Sequence, residues 1–379
     1  MIKNMTTKSN LKQPLLAVSL ILAAFLLSAC TISTNSSKNT GIDSSVFLST
    51  DSGNSWRQAV SMASPGEDKN ISAVEVNLMS FDPQDNLAVY LATFNNGLYY
   101  TYNIVQDGWI KVKNLPSATI NDVKVDPKNK CTIYAAIGNR LYQSVDCART
   151  WNQVYYDNNT EVGINTIAVD HYNSKNVYIG TSRGEIIKSI DAGAAWRTIQ
   201  RLDKEGISQI IISPLDSRLI FVASSKNRIF SFTSNSNTDA ATSEDIERNF
   251  IVDNWTDLNT VLKDYDLGKN FRDFVVCEAD GKMFIATNQV ILRSPDTGIT
   301  WEKIKILQPE KDAVINALAV DPKNSSNIYY VTNTTFFRST DAGTTWITKK
   351  LPTNRGGREL LIDFNDPRVI YLGTKRLDK

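Results

Sequence analysis

The octapeptide Ser339-Thr-Asp-Ala-Gly-Thr-Thr-Trp346 decides the fold of this chain, because close variants of it recur along the sequence. Each copy has Ser first, Asp third and Trp eighth. The other four copies are Ser49-Thr-Asp-Ser-Gly-Asn-Ser-Trp56, Ser144-Val-Asp-Cys-Ala-Arg-Thr-Trp151, Ser189-Ile-Asp-Ala-Gly-Ala-Ala-Trp196 and Ser294-Pro-Asp-Thr-Gly-Ile-Thr-Trp301. Such a recurrence marks one supersecondary unit repeated along the chain.

Seven Trp residues divide the chain into seven units with a period of about 45 residues, which is typical of propeller blades. They are Trp56, Trp109, Trp151, Trp196, Trp255, Trp301 and Trp346. Each unit contains segments in which apolar and polar residues alternate as they do in strands, for example residues 315–320. The sequence therefore predicts an all-β fold, a seven-bladed β-propeller of four-stranded antiparallel blades.

The two ends of the chain predict how the ring closes. The 33 residues after Trp346 suffice for the last strand of one blade and the first two strands of another. A lone third strand and its octapeptide stand at the N-terminal side, at residues 46–56. We expect residues 46–50 to pair with residues 370–375 and complete a propeller that spans residues 45–379, because unpaired strands would expose edges prone to aggregation.

The N-terminus has the features of an export signal. The first twelve residues carry three Lys and no acidic residue, and a 13-residue apolar run, broken only by Ser19, follows at residues 15–27. It ends in Leu27-Ser28-Ala29-Cys30, which resembles the bacterial lipobox. We therefore predict a lipoprotein signal peptide at residues 1–29, lipidation of Cys30, and a flexible tether at residues 30–44. The protein would be an exported lipoprotein, anchored on the extracytoplasmic side of a bacterial membrane.

The composition excludes several function classes. Lys and Arg number 41 and Asp and Glu number 40. The chain is therefore nearly neutral and lacks the excess of positive charge that binding to nucleic acid requires. One His and four Cys without a CxxC motif offer almost no material for a His/Cys metal site or a His-dependent nucleophile. We therefore expect no catalytic residue, no metal and no cofactor.

The octapeptides themselves are expected to be structural. The carboxylate can accept backbone N–H bonds within its own turn, and the Trp can cover apolar area between neighbouring sheets. These structural residues are Asp51, Trp56, Asp146, Trp151, Asp191, Trp196, Asp296, Trp301, Asp341 and Trp346. The alternative is that one of the five carboxylates is catalytic or binds calcium.

A candidate binding surface lies on the opposite face, where the turns between the second and third strands carry cations. These residues are Arg140, Arg183, Lys226, Arg228, Lys375 and Arg376. A ring of cations around a channel could receive a carboxylate, a phosphate or an acidic loop. Alternatively, they are ordinary solvated turn residues.

Carboxylates in the loops between blades could serve a glycosidase, which needs two of them about 5–10 Å apart, or could simply be hydrated.

Hairpin geometry predicts a disulfide between Cys131 and Cys147. A turn centred on Gly138-Asn139 sets Cys131 opposite Asp146, one step out of register with Cys147. Opposed antiparallel residues have Cα atoms about 4.5–5.5 Å apart, within disulfide range. The alternative is two reduced thiols. Cys277 is left over as a buried free thiol.

The five octapeptides resemble the Asp box, or BNR repeat, SxDxGxTW. With the seven Trp-marked units and the lipobox, residues 45–377 resemble bacterial BNR/Asp-box seven-bladed propellers, including the Ycf48-like photosystem II assembly factors. Those proteins are single, non-catalytic propellers, and in cyanobacteria they are often lipoproteins. The resemblance implies a scaffold that binds a partner protein or complex of the cell envelope.

Sialidases and xyloglucanase-type glycoside hydrolases also carry Asp boxes, but the pattern here departs from theirs. Sialidases resemble one another by an early Arg-Ile-Pro, which this chain lacks. The xyloglucanase-type enzymes use a cleft between two propellers, whereas the sequence of this chain predicts a single propeller. A lectin-like, glycan-binding propeller and, beyond it, a glycosidase-like enzyme therefore stand as alternatives to the scaffold.

Overall fold

The computed structural model describes residues 43–63, 70–234, 243–307 and 314–377, which form 28 strands and two short helices. The first strands are β1 (Val46–Ser49), β2 (Arg57–Gln58), β3 (Val76–Asp82), β4 (Asp85–Thr93), β5 (Leu98–Thr101), β6 (Ile110–Lys111), β7 (Asp122–Asp126), β8 (Asn129–Ile137), β9 (Arg140–Ser144) and β10 (Asn152–Tyr156). The next are β11 (Ile164–Val169), β12 (Val177–Thr181), β13 (Glu185–Ser189), β14 (Arg197–Arg201), β15 (Ile207–Ile212), β16 (Leu219–Ser224), β17 (Ile229–Ser234) and β18 (Val252–Asp257). The last are β19 (Phe271–Val276), β20 (Met283–Thr287), β21 (Ile291–Ser294), β22 (Glu302–Ile304), β23 (Ala317–Asp321), β24 (Asn324–Val331), β25 (Thr335–Ser339), β26 (Ile347–Lys350), β27 (Gly356–Ile362) and β28 (Ile370–Lys375).

These strands form seven four-stranded antiparallel sheets, which are the blades of a propeller. Blades 1 to 6 take four consecutive strands each, from β3–β6 to β23–β26. Blade 7 has the order β27, β28, β1, β2. The first strands of all seven blades contact their neighbours in a closed ring and line a central channel. The predicted seven-bladed fold is confirmed.

The ring closes through the N-terminal strand, as predicted. Strand β1 pairs antiparallel with β28, from Val46 opposite Gly373 to Ser49 opposite Ile370. Contacts with the propeller begin slightly earlier than the predicted domain boundary, because Thr374 donates its hydroxyl to the carbonyl of Ser44 at 2.6 Å. Asp43 forms an ion pair with Arg355.

The apolar core lies between neighbouring blades rather than inside any one of them. Between blades 2 and 3, Tyr134 and Leu141 pack against Ile167, Val177 and Ile179, and all five side chains are buried. Each fully buried aliphatic side chain of this kind stabilises the fold by about 1.5–3 kcal/mol. Because a blade buries its faces only against its neighbours, the ring gains its stability by being complete.

Blade 4 carries an insertion between its third strand, which ends at Ser234, and its fourth strand, which begins at Val252. Helix α1 (Ser243–Arg248) lies in it, and helix α2 (Asn259–Leu262) follows the fourth strand. The fully buried Lys188 of blade 3 donates to the carbonyl of Asn249 at 2.6 Å and to the hydroxyl of Ser234 at 3.0 Å. Burial lowers the pKa of Lys188 to about 8. The described part of the insertion is therefore attached to the adjacent blade.

The predicted signal peptide, Cys30 and the predicted tether up to residue 42 lie outside the described residues. Among the helices that the structure describes, none has the length and apolar character required to span a bilayer.

Candidate functional site

Each octapeptide forms a turn that binds its own carboxylate. In the copy at residues 339–346, Asp341 accepts the Thr345 N–H on Oδ1 at 2.8 Å and the Thr345 hydroxyl on Oδ2 at 2.6 Å. The Ser339 hydroxyl donates to Asp341 and accepts the Gly343 N–H, both at 2.8 Å. The carboxylates of Asp51, Asp146 and Asp296 are bound in the same way, and Asp191 accepts the backbone N–H of Ala195, which has no hydroxyl. All five carboxylates are thus engaged within their turns.

These bonds stabilise the charged form of the carboxylate. Hydrogen bonds from the Thr345 side chain and backbone lower the pKa of Asp341 to about 2. The equivalent bonds lower the pKa of Asp51 and of Asp146 to about 2. A carboxyl group with so low a pKa is ionised at neutral pH and cannot serve there as a proton donor.

Three of the Trp residues donate a hydrogen bond to the preceding blade, whereas Trp301 bonds to Gly298 of its own turn and the indole N–H groups of Trp56 and Trp151 have no partner among the described residues. Trp196 donates its indole N–H to the carbonyl of Val154 at 3.0 Å, and Trp346 donates to Lys305 at 2.8 Å. Trp109, whose octapeptide is degenerate, is fully buried and donates to the carbonyl of Ala59 in blade 7 at 2.8 Å. These indoles tie successive blades together.

The six cations predicted as a binding ring do not form one free surface. Arg183 forms ion pairs with Asp157 at 2.8 Å and with Glu185 at 2.6 Å. Arg228 pairs with Glu205 at 2.6 Å and with Asp257 at 2.8 Å. These two guanidinium groups are therefore neutralised by carboxylates of their own and neighbouring loops.

The remaining four cations divide into two groups. Arg140 and Lys226 are exposed, each at its own turn, and have no ion pair within the described ranges. Lys375 lies over the ring of Phe94, with Nζ 4.8 Å from its centroid, and Arg376 is 3.4 Å from Asp43. Only Lys375 and Arg376 lie at the mouth of the central channel.

A ring of seven side chains that the sequence analysis missed surrounds that mouth, one from the start of each blade. The seven residues, called here the rim ring, are Asn77, Asn121, Asn165, Ser208, Arg272, Asn316 and Arg358. In five of the blades a β-bulge in the first strand lies at this residue. A bulge re-aims a side chain, and here all seven line the channel.

Three asparagines of the rim ring fasten adjacent blades. Asn77, Asn121 and Asn165 donate their side-chain amides to the carbonyls of Ile120, Ile164 and Ile207, each at 2.8 Å. Each acceptor belongs to the next blade along the chain. At these three positions the rim-ring side chain therefore has a structural role, because it links its own blade to the next one.

The other four positions depart from this pattern. Ser208 has a shorter side chain, and Asn316 turns aside to donate to Asn333 at 2.8 Å. Arg358 donates to the side-chain oxygen of Asn77 at 3.0 Å. Arg272 has a buried Nε without a hydrogen-bond partner within the described part of the chain. One side of the channel mouth thus carries guanidinium groups where the other carries satisfied amides.

In six of the blades the next residue forms a second layer of the channel lining, namely Leu78, Asp122, Thr166, Gln209, Asp273 and Glu359. Asp122 accepts the Ile167 N–H at 2.7 Å, and Asp273 accepts the Leu318 N–H at 3.2 Å. Burial raises the pKa of Asp273 and, more strongly, the pKa of Glu359, whose carboxylate is also repelled by Asp273. The channel therefore holds one pair of carboxyl groups that share a partly desolvated environment.

A pocket of about 620 Å³ opens at the mouth of the channel beside the departing rim-ring residues. We call it the mouth pocket, and its lining includes Phe94, Arg272, Val314, Asn316, Asn333, Gly356, Gly357, Arg358, Lys375, Arg376 and Leu377. Four cations lie in this lining, whereas no carboxylate does among the residues described. Two of these cations, Lys375 and Arg376, were predicted from the sequence. Arg272 and Arg358 were missed. Their position could have indicated them, because each stands directly after an apolar residue or a glycine at the start of a first strand, where most of the other blades have a rim-ring asparagine.

The cysteines are arranged as follows. Cys131 and Cys147 are joined by a disulfide with their Cα atoms 3.9 Å apart, and the Cys147 N–H donates to the Cys131 carbonyl at 3.1 Å. The hairpin has the register assumed in the sequence analysis, with Ile133 opposite Ser144. Cys277 is a buried free thiol.

Among the described residues, no group of three or more His, Cys, Asp or Glu side chains could hold a metal ion.

No protein-family model and no curated protein matches the chain. Among solved structures, the GH74 xyloglucanase from Xanthomonas campestris is similar with a TM-score of 0.60 and 16% identity, over 79% of this chain and 51% of that chain. The GH74 enzyme of Niastella koreensis has a TM-score of 0.58 and 16% identity, with the same coverage of 79% and 51%.

The structure of YCF48 bound to a D1 peptide is similar with a TM-score of 0.56 and 15% identity, over 80% of this chain and 94% of that chain. This chain thus spans about half the length of the two GH74 enzymes but nearly the whole of YCF48. At such identities the likeness shows the fold alone.

Proposed function

We propose that this protein is a non-catalytic scaffold that binds a protein partner in a bacterial cell envelope and is anchored there through lipid on Cys30. One observation carries the proposal. The five Asp-box carboxylates and four carboxylates of the opposite face are engaged within the fold, while the channel mouth presents cations that no carboxylate of its described lining neutralises.

The engagement of the carboxylates argues against catalysis. The five Asp-box carboxylates are bound within their turns. On the opposite face, Asp157 and Glu185 are held by Arg183, and Glu205 and Asp257 are held by Arg228. A glycosidase needs one free acid and one free base or nucleophile on the same site, and these pairs supply neither.

The fold and size favour a binding role. A single propeller offers a broad face around its channel, and the cations of the mouth pocket give that face a positive centre that attracts acidic protein surfaces. The chain covers 94% of YCF48, whose structure contains a bound D1 peptide, so a binding propeller of this size has a structural precedent. We extend peptide or protein binding, without a named partner, to the present chain.

The anchoring part of the proposal rests on the N-terminal sequence. The apolar run at residues 15–27 and the Leu27-Ser28-Ala29-Cys30 segment are those of an exported lipoprotein. A disulfide between Cys131 and Cys147 is compatible with an oxidising compartment outside the cytoplasm.

Affinity capture tests the scaffold function. The tagged full-length chain is expressed in its native envelope, cross-linked in cells, solubilised in detergent and recovered, with a tagged lipoprotein of unrelated fold as the control. We expect one envelope protein or complex to be recovered in near-stoichiometric amount with the propeller and absent from the control. Recovery of the propeller alone, together with retention on a glycan array, would replace the scaffold by a lectin.

A second candidate function has one observation in its favour. Asp273 and Glu359 form a carboxyl pair in the channel, and the raised pKa of Glu359 is what a general acid requires. Two of the similar structures are GH74 enzymes. The channel could then bind and hydrolyse a glycan chain.

Hydrolysis of polysaccharides, including xyloglucan, by the purified protein tests this second candidate. We expect no release of reducing sugar by the wild-type chain. Release that is abolished in both Asp273→Asn and Glu359→Gln, while Asp146→Asn retains it, would establish the enzyme and overturn the non-catalytic proposal.

A further inference from the structure

We propose that the mouth pocket is a binding site for a carboxylate carried next to an apolar group, held by Arg272 and Arg358. The proposal does not depend on the scaffold function, since such a group is found both on a small free acid and at the end of a polypeptide. It rests on three features of the pocket: an unspent hydrogen-bond donor, positive charge that is only partly compensated, and apolar walls beside that charge.

Arg272 keeps an unspent donor because the rim ring is interrupted on one side, whereas Arg358 donates to Asn77. Three asparagines of the ring donate to the next blade, whereas Arg272 at the equivalent position leaves its Nε buried and without a partner among the described residues. A buried unsatisfied donor destabilises a fold. An anion bound by the Arg272 guanidinium group would offset this cost.

Among the described residues, most of the positive charge at the same place has no ion-pair partner. Arg272, Arg358, Lys375 and Arg376 surround the pocket, and of these only Arg376 forms an ion pair within the described ranges, with Asp43 at 3.4 Å. Burial and the neighbouring Arg358 lower the pKa of Arg272. A bound anion would relieve both the desolvation and the repulsion.

The Asp273 and Glu359 carboxyl groups offset only part of this charge. They belong to the second layer of the channel lining, and burial raises the pKa of both, which favours their neutral forms. Asp273 already accepts the Leu318 N–H at 3.2 Å. Both carboxyl groups act on Arg358 and so offset part of its charge, whereas Arg272 is affected chiefly by burial and by repulsion from Arg358.

The apolar walls select the kind of anion. Phe94 lies under Lys375, and its ring centroid is 5.8 Å from the guanidinium carbon of Arg358. Val314 and Leu377 complete the wall and are 40% and 44% exposed. An inorganic phosphate would leave this surface in water, whereas an apolar side chain next to a carboxylate would cover it.

The geometry of the two guanidinium groups fits a carboxylate. A guanidinium group offers a planar fork of donors that matches the two oxygens of a carboxylate. The pocket of about 620 Å³ has room for one such group and an adjoining side chain. Asn333 lies in the same wall and offers an amide for a neighbouring peptide group.

Calorimetric titration of the purified propeller with four probes tests the proposal. The probes are N-acetyl-leucine, an N-acetylated tetrapeptide ending in leucine with a free carboxylate, the same tetrapeptide as its C-terminal amide, and inorganic phosphate. We expect at least one of the two free carboxylates to bind, and the amide and phosphate to bind at least about tenfold more weakly, because the charge-assisted bonds are lost or the apolar wall is uncovered.

Variants locate the site. Arg272→Gln and Arg358→Gln should each weaken binding of the carboxylate probe at least about tenfold. Arg140→Gln and Lys226→Gln, which remove exposed cations outside the pocket, should change it less than about twofold. Thermal melts verify folding, and Arg272→Gln should melt no lower than the wild type because it removes an unpaired buried charge.

The outcomes separate the possible ligands. Binding of the tetrapeptide but not of N-acetyl-leucine would assign the pocket to the end of a polypeptide, and equal binding of both would assign it to small free acids. Equal binding of the amide or of phosphate, unchanged binding by the Arg272 and Arg358 variants, or no binding by either carboxylate would overturn the proposal. If these variants still recover the envelope partner by affinity capture, the scaffold function stands without it.

Discussion

The carboxylate at the third position of each octapeptide is bound by the residues that immediately follow it. Asp341 accepts two hydrogen bonds from Thr345, at 2.8 and 2.6 Å. The turn also requires a left-handed backbone, with φ of 61° at Ala342 and 87° at Gly343. The motif is therefore specified by a charged acceptor and by a residue that tolerates positive φ.

Asp341→Asn removes the charged acceptor, and its effect should depend on pH. The folded pKa of Asp341, about 2, lies below its ordinary value of 3.8, so the carboxylate stabilises the fold fully above about pH 4, and this contribution is lost as the pH falls through 2. We expect the variant to melt below the wild type at pH 7 and the two melting temperatures to converge near pH 2. A gap that persists at pH 2 would show that charge is not the cause.

Gly343→Ala tests the backbone requirement of the turn. A Cβ at this position would lie 2.4 Å from Cγ2 of Ile304, and φ is 87°. We expect a loss of more than about 2 kcal/mol in urea unfolding, since the backbone alone accounts for about 1–2 kcal/mol. Gly138→Ala is the matched control, because its φ is 54° with no atom within 4 Å of the added Cβ. Equal losses in both variants would remove the packing part of this explanation.

At the scale of single elements, the strands are stabilised chiefly by what they pair with in another part of the chain. Strand β1 has four residues, all buried, and pairs with β28 more than 300 residues later. The buried Arg355 ties the same region by donating to the carbonyls of Val74 at 2.6 Å and Ser72 at 2.7 Å. The N-terminal strand is thus an integral part of blade 7.

Deletion of residues 45–56 should abolish the single cooperative unfolding transition. The deletion leaves β28 with an unpaired edge and exposes the apolar face of blade 7. Deletion of residues 31–42, from the predicted tether, is the control and should leave the transition unchanged. Circular dichroism melts compare the two deletions, and an unchanged melt for the first would contradict the closure argument.

The β8–β9 hairpin carries the disulfide between Cys131 and Cys147, which are 16 residues apart. In the loop-entropy account, a cross-link of this span contributes about 3 kcal/mol. Peptide mass spectrometry of a non-reduced digest of the exported protein should find the two cysteines linked. The bond would be refuted if both thiols could be alkylated in the folded, exported protein. In that case the double variant Cys131→Ser/Cys147→Ser should have the same free energy of unfolding as the wild type.

At the scale of the whole molecule, the ring is regular in its backbone and asymmetric in its chemistry. Seven first strands contact one another around the channel, yet the rim ring changes from amides at Asn77, Asn121 and Asn165 to guanidinium groups at Arg272 and Arg358. The structural repeat sets the positions, and the departures from it create the mouth pocket.

Membrane attachment of the whole protein should depend on one sulfur atom. Cys30→Ser removes the thiol that would accept the lipid, so we expect the variant to be released from the membrane or to remain unprocessed. Fractionation of native cells with and without detergent, with the intact mass of the product, measures both results. A processed Cys30→Ser chain that still requires detergent would disprove the lipobox prediction.

The number of blades, their strand order and the closing strand could all be predicted from the sequence. The octapeptides, the seven Trp and the alternating segments are local patterns, and each fixes the position of a strand or turn within its own unit. Closure followed from counting the residues left over at the two ends. The cations at Lys375 and Arg376 could be named for the same reason, because they stand at the end of the second strand of blade 7.

The neutralisation of Arg183 and Arg228 and the presence of Arg272 and Arg358 at the channel mouth were decided only by the tertiary structure. Asp157 lies 26 residues from Arg183, and Arg272 and Arg358 come from blades 5 and 7, so no local pattern relates them. A bulge turns the rim-ring side chains into the channel, and ring closure brings distant first strands around one axis. Charge compensation depends on distances in space, and for these residues the ring sets those distances.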